Sequence, residues 1–236
     1  MQLFYHPDLE NNSSEFTFPA DESRHITKVL RKSLDDVLQI TNGRGGLFGA
    51  RIIVADHKRC TAKIISAHTD PPSSYRLHLV VAPTKLNDRF EWLLEKATEI
   101  GVHEITPILC ERSERKTIKM ERMEKVILSA MKQSLHTYLP KLNPAISFKD
   151  YMDLPKEGDL FIAHCGEDHK KELYHSLRPK QNTAILIGPE GDFSKAEIES
   201  ALNHGFKPVA LGETRLRTET AAIVACTAIA MVNLPK

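Results

Sequence analysis

The feature that most constrains this chain is an alternation of short apolar strands with amphipathic helices beyond residue 75. Strand patterns fall at Leu77–Ala82, Ile105–Cys110, Leu160–His164, Thr183–Gly188 and Pro208–Gly212. Helical patterns fall at Asp88–Ile100, Met120–Tyr138, His169–Leu177, Ser194–His204 and Thr220–Leu234. Strands joined through helices need crossover connections, which make the sheet parallel and put helices on both faces. In the first helix, Phe90, Leu93, Leu94, Ala97 and Ile100 form one apolar stripe, and Gly101 follows where a helix end favours glycine. Ligands of such sheets bind beyond the carboxyl ends of the strands. The loops after Gly188 and Gly212 are therefore the first place to look for a site.

Residues 1–69 follow a different pattern. One helix is expected after Asp21, a candidate cap, with Ile26, Val29 and Leu30 on one face. The remainder reads as strands: Val37–Thr41, then the turn-forming Asn-Gly-Arg-Gly-Gly, then Leu47–Ala55 and Cys60–Ala67 about a turn at Asp56–Lys58. Asp70-Pro-Pro-Ser-Ser74 is a stiff polar linker. The expected layout is thus a small β-rich domain over 1–69, a linker over 70–75, and an α/β domain over 76–236 with a mainly parallel sheet flanked by helices.

Composition narrows the functions. With 41% hydrophobic and 27% charged residues the chain is not disordered, and a net charge of +1 excludes a bulk polycation while leaving room for a local basic patch. The opening MQLFYHPDLE lacks a basic segment followed by an apolar run. The longest uncharged stretch, Thr220–Pro235, is 16 residues, short of the roughly 20 that cross a bilayer, so no membrane association is expected. Cys60, Cys110, Cys165 and Cys226 lie far apart with no CxxC spacing, which signals neither zinc nor a disulfide scaffold and fits a reducing cytoplasm. His164, Cys165, His169 and His175 match no standard zinc spacing, so no metal is expected.

Two loops carry the chemistry. Leu186-Ile-Gly-Pro-Glu-Gly-Asp-Phe-Ser194 leaves a strand, turns on two glycines and ends on Ser194, an N-cap with Glu197 at the capping-box position. Glycine lets a ligand approach the backbone closely. Leu211-Gly-Glu-Thr-Arg-Leu-Arg-Thr-Glu-Thr-Ala221 crowds Arg215, Arg217 and Glu219 before an apolar helix, beside a helix N-terminus. Neither GxGxxG nor GxxxxGK[ST] occurs, so dinucleotide and nucleoside triphosphate binding are unsupported. Basic residues cluster at Arg24, Lys28, Arg31 and Lys32, and between Arg112 and Lys141, where eight Lys or Arg face three Glu. A solvated helix face with i,i+4 pairs explains many such runs, but two of them on a nearly neutral chain point to an RNA footprint.

These two loops, in this order, closely resemble the C-terminal half of the SPOUT methyltransferases. More narrowly they resemble the RsmE family, which methylates N3 of a uridine in 16S ribosomal RNA. Three further segments resemble the same family in matching order: Glu22-Ser-Arg-His-Ile-Thr-Lys-Val-Leu-Arg31, Asn87-Asp-Arg-Phe-Glu-Trp-Leu-Leu-Glu-Lys-Ala-Thr-Glu-Ile-Gly101, and Glu111-Arg-Ser-Glu-Arg-Lys116 with Gln133-Ser134 after it. The chain departs from the family pattern at Asp192 and Asp35, where glycine is usual, and at His136, where arginine is usual.

The resemblance implies a PUA-like N-terminal domain, a trefoil-knotted SPOUT domain, S-adenosylmethionine as cofactor, 16S rRNA or the small ribosomal subunit as partner, and a homodimer. Cofactor binding is then expected at Leu186, Ile187, Gly188, Pro189, Glu190 and Gly191, and at Leu211, Gly212, Leu216, Arg217 and Thr218. Arg217 is the candidate for electrostatic stabilisation, with Glu219 and Glu190 as candidate bases. RNA docking is expected at Arg24, His25, Lys28, Arg31, Arg112, Arg115 and Lys116. The competing readings are a non-catalytic RNA-binding module, which would not bind S-adenosylmethionine, and a SPOUT methyltransferase acting on another RNA.

Overall fold

The computed structural model describes residues 2–166 and 170–234. It divides into two units, Met1–Pro72 with Met131–Leu139, and Ser73–Ala130 with Pro140–Lys236. The first unit is a five-stranded sheet in the order β1 (Leu3–Tyr5), β3 (Val37–Thr41), β4 (Gly46–Val54), β5 (Thr61–Thr69), β2 (Glu15–Thr17). Only β1 and β3 run parallel; the other neighbours are antiparallel. The three residues each of β1 and β2 are too few to display a strand period, so nothing in the sequence announced them. Inward-facing Phe4, Phe18, Ile26, Ile40, Phe48 and Ile52 make the core.

The helix of this unit, α1 (Ala20–Arg24), starts after Pro19, and Asp21 lies in its first turn without capping it. It passes directly into one π turn, His25–Val29. Asp35 sits in the left-handed region at φ 70°, a conformation that explains why glycine suits the position and that Asp tolerates better than most residues.

In the second unit strands and helices largely alternate: β6 (Leu77–Val81), α2 (Asn87–Ile100), β7 (Glu104–Leu109), α3 (Met120–Gln133, its residues from Met131 on counted with the first unit), β8 (Lys141–Leu142), β9 (Ile146–Ser147), α4 (Phe148–Asp153), β10 (Asp159–Ala163), β11 (Lys171–Glu172), α5 (Leu173–Ser176), β12 (Thr183–Ile187), α6 (Lys195–Asn203), β13 (Lys207–Ala210) and α7 (Thr218–Val232). The sheet runs β11-β13-β10-β12-β6-β7-β8, with β9 also paired to β7, and every pairing is parallel. Val80, Ile108, Ile162, Leu186, Phe193 and Phe206 belong to one buried cluster. Gly101 caps α2 at φ 99°, and Ser194 and Glu197 form the expected capping box on α6.

Two helices differ from expectation. α3 stops at Gln133 instead of reaching Tyr138, because Leu135 turns to φ 61° and the chain after it is held by the β3–β4 turn: Gly45 N donates to Thr137 O at 2.9 Å, Thr41 Oγ1 to Thr137 O at 3.0 Å, and Leu139 N to Gly43 O at 2.9 Å. The segment expected as helix 169–177 forms the two-residue β11 and the short α5; its first residue, His169, lies outside the described residues. Among the described residues no helix is long and apolar enough to cross a membrane.

Candidate active site

Three neighbouring parallel strands, β13, β10 and β12, end side by side, and the loops leaving them enclose a cleft of about 800 Å³. Both loops singled out in the sequence are there. Ile187, Gly188, Pro189 and Glu190 line it from β12, and Leu211, Gly212, Leu216, Arg217 and Thr218 line it from β13. Of the other two expected cofactor residues, Leu186 is fully buried in the core and Gly191 packs against Arg112; neither lines the cleft.

The third wall, Ala163–Gly166 at the end of β10, was missed. His164 and Cys165 drew notice in the sequence only as possible metal ligands. Their place in the wall depends on β10 pairing between β12 and β13, which no local pattern encodes. Among the described residues no group of three or more His, Cys, Asp or Glu is arranged to hold an ion.

The loops are tied to one another. Thr218 Oγ1 donates to Gly188 O at 3.1 Å. Asp192 adopts φ 62°, and its carboxylate stabilises that geometry: Oδ1 accepts from Phe193 N at 2.8 Å and Oδ2 from Cys165 N at 2.9 Å. The aspartate thus keeps the left-handed turn of a glycine and also fastens the β12 loop to the β10 loop. Arg112, from the loop after β7, donates from Nη1 to Gly191 O at 3.0 Å and Phe193 O at 3.4 Å. Glu190 Oε1 accepts from Lys85 N at 2.9 Å, and Glu197 Oε1 from Glu111 N at 2.8 Å. The loops after β6 and β7 therefore brace the one after β12.

The candidate catalytic residues separate. Arg217 is exposed at the cleft, in the N-cap position of α7, with no side-chain capping bond. Glu190 also faces the cleft. Glu219 does not line it: it is buried, with Oε1 3.7 Å from Arg89 Nε of α2 and Oε2 sealed without a hydrogen bond among the described residues. Of the RNA-docking candidates, Arg24, Lys28 and Arg31 are exposed on and just after the helix of the first unit, and His25 is half-buried. In the second unit Lys116 is exposed, Arg115 Nε bonds Thr117 O at 3.0 Å, and Arg112 is engaged with the β12 loop.

The wall chemistry fits S-adenosylmethionine. Strand-end backbone amides and carbonyls can pair with an adenine edge, while Ile187, Val209 and Leu216 supply apolar surface for the ring. Gly188 lines the cleft where no side chain has room, since a Cβ there would stand 3.0 Å from the Phe193 ring.

Residues 71–230 match a family model described as an RNA methyltransferase domain, and residues 18–65 one described as an RNA methyltransferase PUA domain. Ribosomal RNA small subunit methyltransferase E of Buchnera aphidicola is 31% identical, over 97% of this chain and 92% of that protein. A crystal structure of a probable rRNA-methyltransferase from Porphyromonas gingivalis superposes with a TM-score of 0.91 at 44% identity, covering 99% of this chain and 98% of that one. Ribosomal RNA small subunit methyltransferase E from Neisseria gonorrhoeae, solved bound to S-adenosyl methionine, superposes with a TM-score of 0.88 at 27% identity, over 99% and 98% of the two chains.

Proposed function

The chain belongs to the RNA methyltransferase family that contains the ribosomal RNA small subunit methyltransferases E, and from that membership we propose that it transfers a methyl group from S-adenosylmethionine to N3 of a specific uridine in 16S ribosomal RNA. The observation that carries the proposal is the convergence of the β12 and β13 loops on one cleft at the carboxyl edge of the sheet, with Arg217 at its margin.

S-adenosylmethionine supplies an electrophilic methyl group on a sulfonium. The N3–CH3 bond forms as the S–CH3 bond breaks, and the N3 proton must leave. Arg217 stabilises the negative charge that builds on the uracil carbonyl oxygens, and its position beside a helix N-terminus reinforces this. Glu190 accepts the proton, directly or through one water, because it is the candidate carboxylate that faces the cleft. Glu219 instead holds the start of α7 against Arg89. The nucleophile is the substrate nitrogen, so no cysteine is required; burial pushes the Cys226 thiol up to about 12, far from a reactive thiolate.

RNA docks on Arg24, Lys28, Arg31, Arg115 and Lys116 through phosphates, which position the strand without reading its sequence. The enzyme works in the cytoplasm as a homodimer. Supporting a second copy, α7 leaves Met231 60% exposed and Val224 partly exposed, and α2 leaves Trp92 44% exposed, although both helices are otherwise apolar on their inner faces. The decisive experiment is mass spectrometry of 16S RNA from a deletion strain, with and without the gene restored. One methyl group on one uridine should disappear and return; an unchanged methylation pattern would refute the assignment.

A further inference from the structure

A second cavity, of about 610 Å³, opens at the opposite edge of the same sheet, between the amino ends of β6, β7 and β12 and the segment 141–157. Parallel sheets place their established ligands at the other edge, and the methyl-transfer reading uses nothing here. Yet the cavity concentrates polar groups. His78 Nε2 lies 2.7 Å from Thr106 Oγ1, and Asn143 Nδ2 lies 2.7 Å from both Thr106 Oγ1 and Glu104 Oε1. The Glu104 side chain, 9% exposed, also pairs with Arg76 and with Lys141 Nζ at 3.4 Å.

Three features of this arrangement are open to a ligand. Tyr151 is 3% exposed and lines the cavity, and its hydroxyl makes no hydrogen bond among the described residues. The hydroxyl is not sealed by protein, so it is open to donate to or accept from a molecule in the cavity. Asn143 spends both amide protons on Glu104 and Thr106, which leaves its Oδ1 as an acceptor. Arg76 and Lys141 each reach Glu104 while their side chains remain more than half exposed, so they keep donors for a further partner. Pro144, Ile146 and Leu154 supply apolar surface in the same cavity.

Arg76, Lys141 and Lys156 line the cavity against Glu104 and Glu157, and this excess of cations, with an apolar wall and a donor–acceptor pair at depth, suits a phosphorylated ring. We propose that this cavity binds a single nucleotide, with its phosphate at Arg76 and Lys141 and its base edge on the Tyr151 hydroxyl and Asn143 Oδ1. Inorganic phosphate alone would leave the wall and the phenol unused. The nucleotide comes either from a free nucleoside monophosphate or from an unpaired position of an RNA strand, which share this chemistry.

The test is calorimetric titration of the full chain with the four nucleoside monophosphates, inorganic phosphate and single-stranded trinucleotides. Saturable binding of a monophosphate or a trinucleotide is expected, at least about tenfold tighter than phosphate. Tyr151→Phe and Lys141→Gln should each weaken it by about tenfold, the scale of one lost hydrogen bond or charge contact, with S-adenosylmethionine affinity unchanged. Binding of monophosphates identifies the free nucleotide as the source, and binding of trinucleotides alone identifies RNA. Absence of saturable binding by any of these, or binding no tighter than phosphate and indifferent to Tyr151→Phe, would overturn the site.

Discussion

Thr218 Oγ1 donates a buried hydrogen bond to the carbonyl of Gly188, joining residues thirty positions apart in the chain. The bond links the first turn of α7 to the turn after β12, so the two loops of the cleft hold one another in register. Thr218→Val keeps the shape and removes the donor. The Gly188 carbonyl is then buried without this partner, at a cost of about 1–3 kcal/mol. A lowered melting temperature and roughly tenfold weaker S-adenosylmethionine binding are expected. Wild-type affinity by calorimetry would show that the tie does not shape the cleft.

Gly188→Val is expected to damage more than the ligand surface. A Cβ at this position meets two carbons of the Phe193 ring at 3.0 and 3.1 Å and the Phe193 amide at 3.3 Å, and Phe193 is itself part of the buried core. Overpacking of that kind costs about 1–3 kcal/mol. The variant should lose both cofactor binding and thermal stability. Gly191→Ala, whose Cβ would stand 3.4 Å from Arg112, should remain as stable as the parent. Melting curves of the two variants make the comparison.

Arg112 and Arg24 should separate by assay. Arg112 is hydrogen-bonded to the carbonyls of Gly191 and Phe193, so Arg112→Ala should weaken cofactor binding by loosening the loop. Arg24 is exposed, and Arg24→Glu should leave cofactor affinity intact while lowering the salt slope of RNA binding by roughly one counterion. A salt series of RNA binding for both variants reads this out; an unaltered slope for Arg24→Glu would remove that residue from the footprint.

Arg217→Ala should slow methyl transfer by about 10²–10³-fold, the usual effect of deleting one preorganised donor. The side chain is exposed and makes no capping bond, so folding should be unaffected. Single-turnover methylation with saturating cofactor and RNA gives the rate directly, and a rate near the parent's would end the proposed role.

Acid should destabilise the protein partly through His78. Burial, only partly opposed by the Glu104 charge and assisted by Arg76 and Lys141, lowers its pKa from 6.5 to about 4. The folded state therefore holds the imidazole neutral while the unfolded chain takes up a proton. This contribution is complete above pH 6.5 and is lost as pH falls toward about 4, at a rate of about 1.4 kcal/mol per pH unit. Glu104 acts in the same direction. Burial would raise its pKa, but the Asn143 hydrogen bond and the neighbouring positive charges outweigh it, so its stabilisation disappears as pH falls through the lowered value. Urea unfolding at several pH values should show a shallower loss in His78→Gln than in the parent.

Local rules made much of this protein readable in advance. The bounds of β3 followed from a β-branched run before a glycine turn, the end of α2 from Gly101 at φ 99°, and the start of α6 from Ser194 and Glu197, because each is decided by residues a few positions apart. The parallel sheet followed from strand–helix alternation, and its carboxyl edge from that. Tertiary structure decided what depends on distant partners. The chain leaves α3 at Gln133 because Thr137 and Leu139 find backbone partners near Gly43 and Gly45, not because of any breaker within the helix. Glu190 and Glu219 looked equivalent in sequence; strand order set one in the cleft, and the packing of α7 on α2 buried the other beside Arg89. The His164–Gly166 wall likewise exists only because β10 lies between β12 and β13. Sequence period encodes which face of an element is buried, whereas the neighbour that buries it is selected by the summed packing of the whole sheet, which no short window contains.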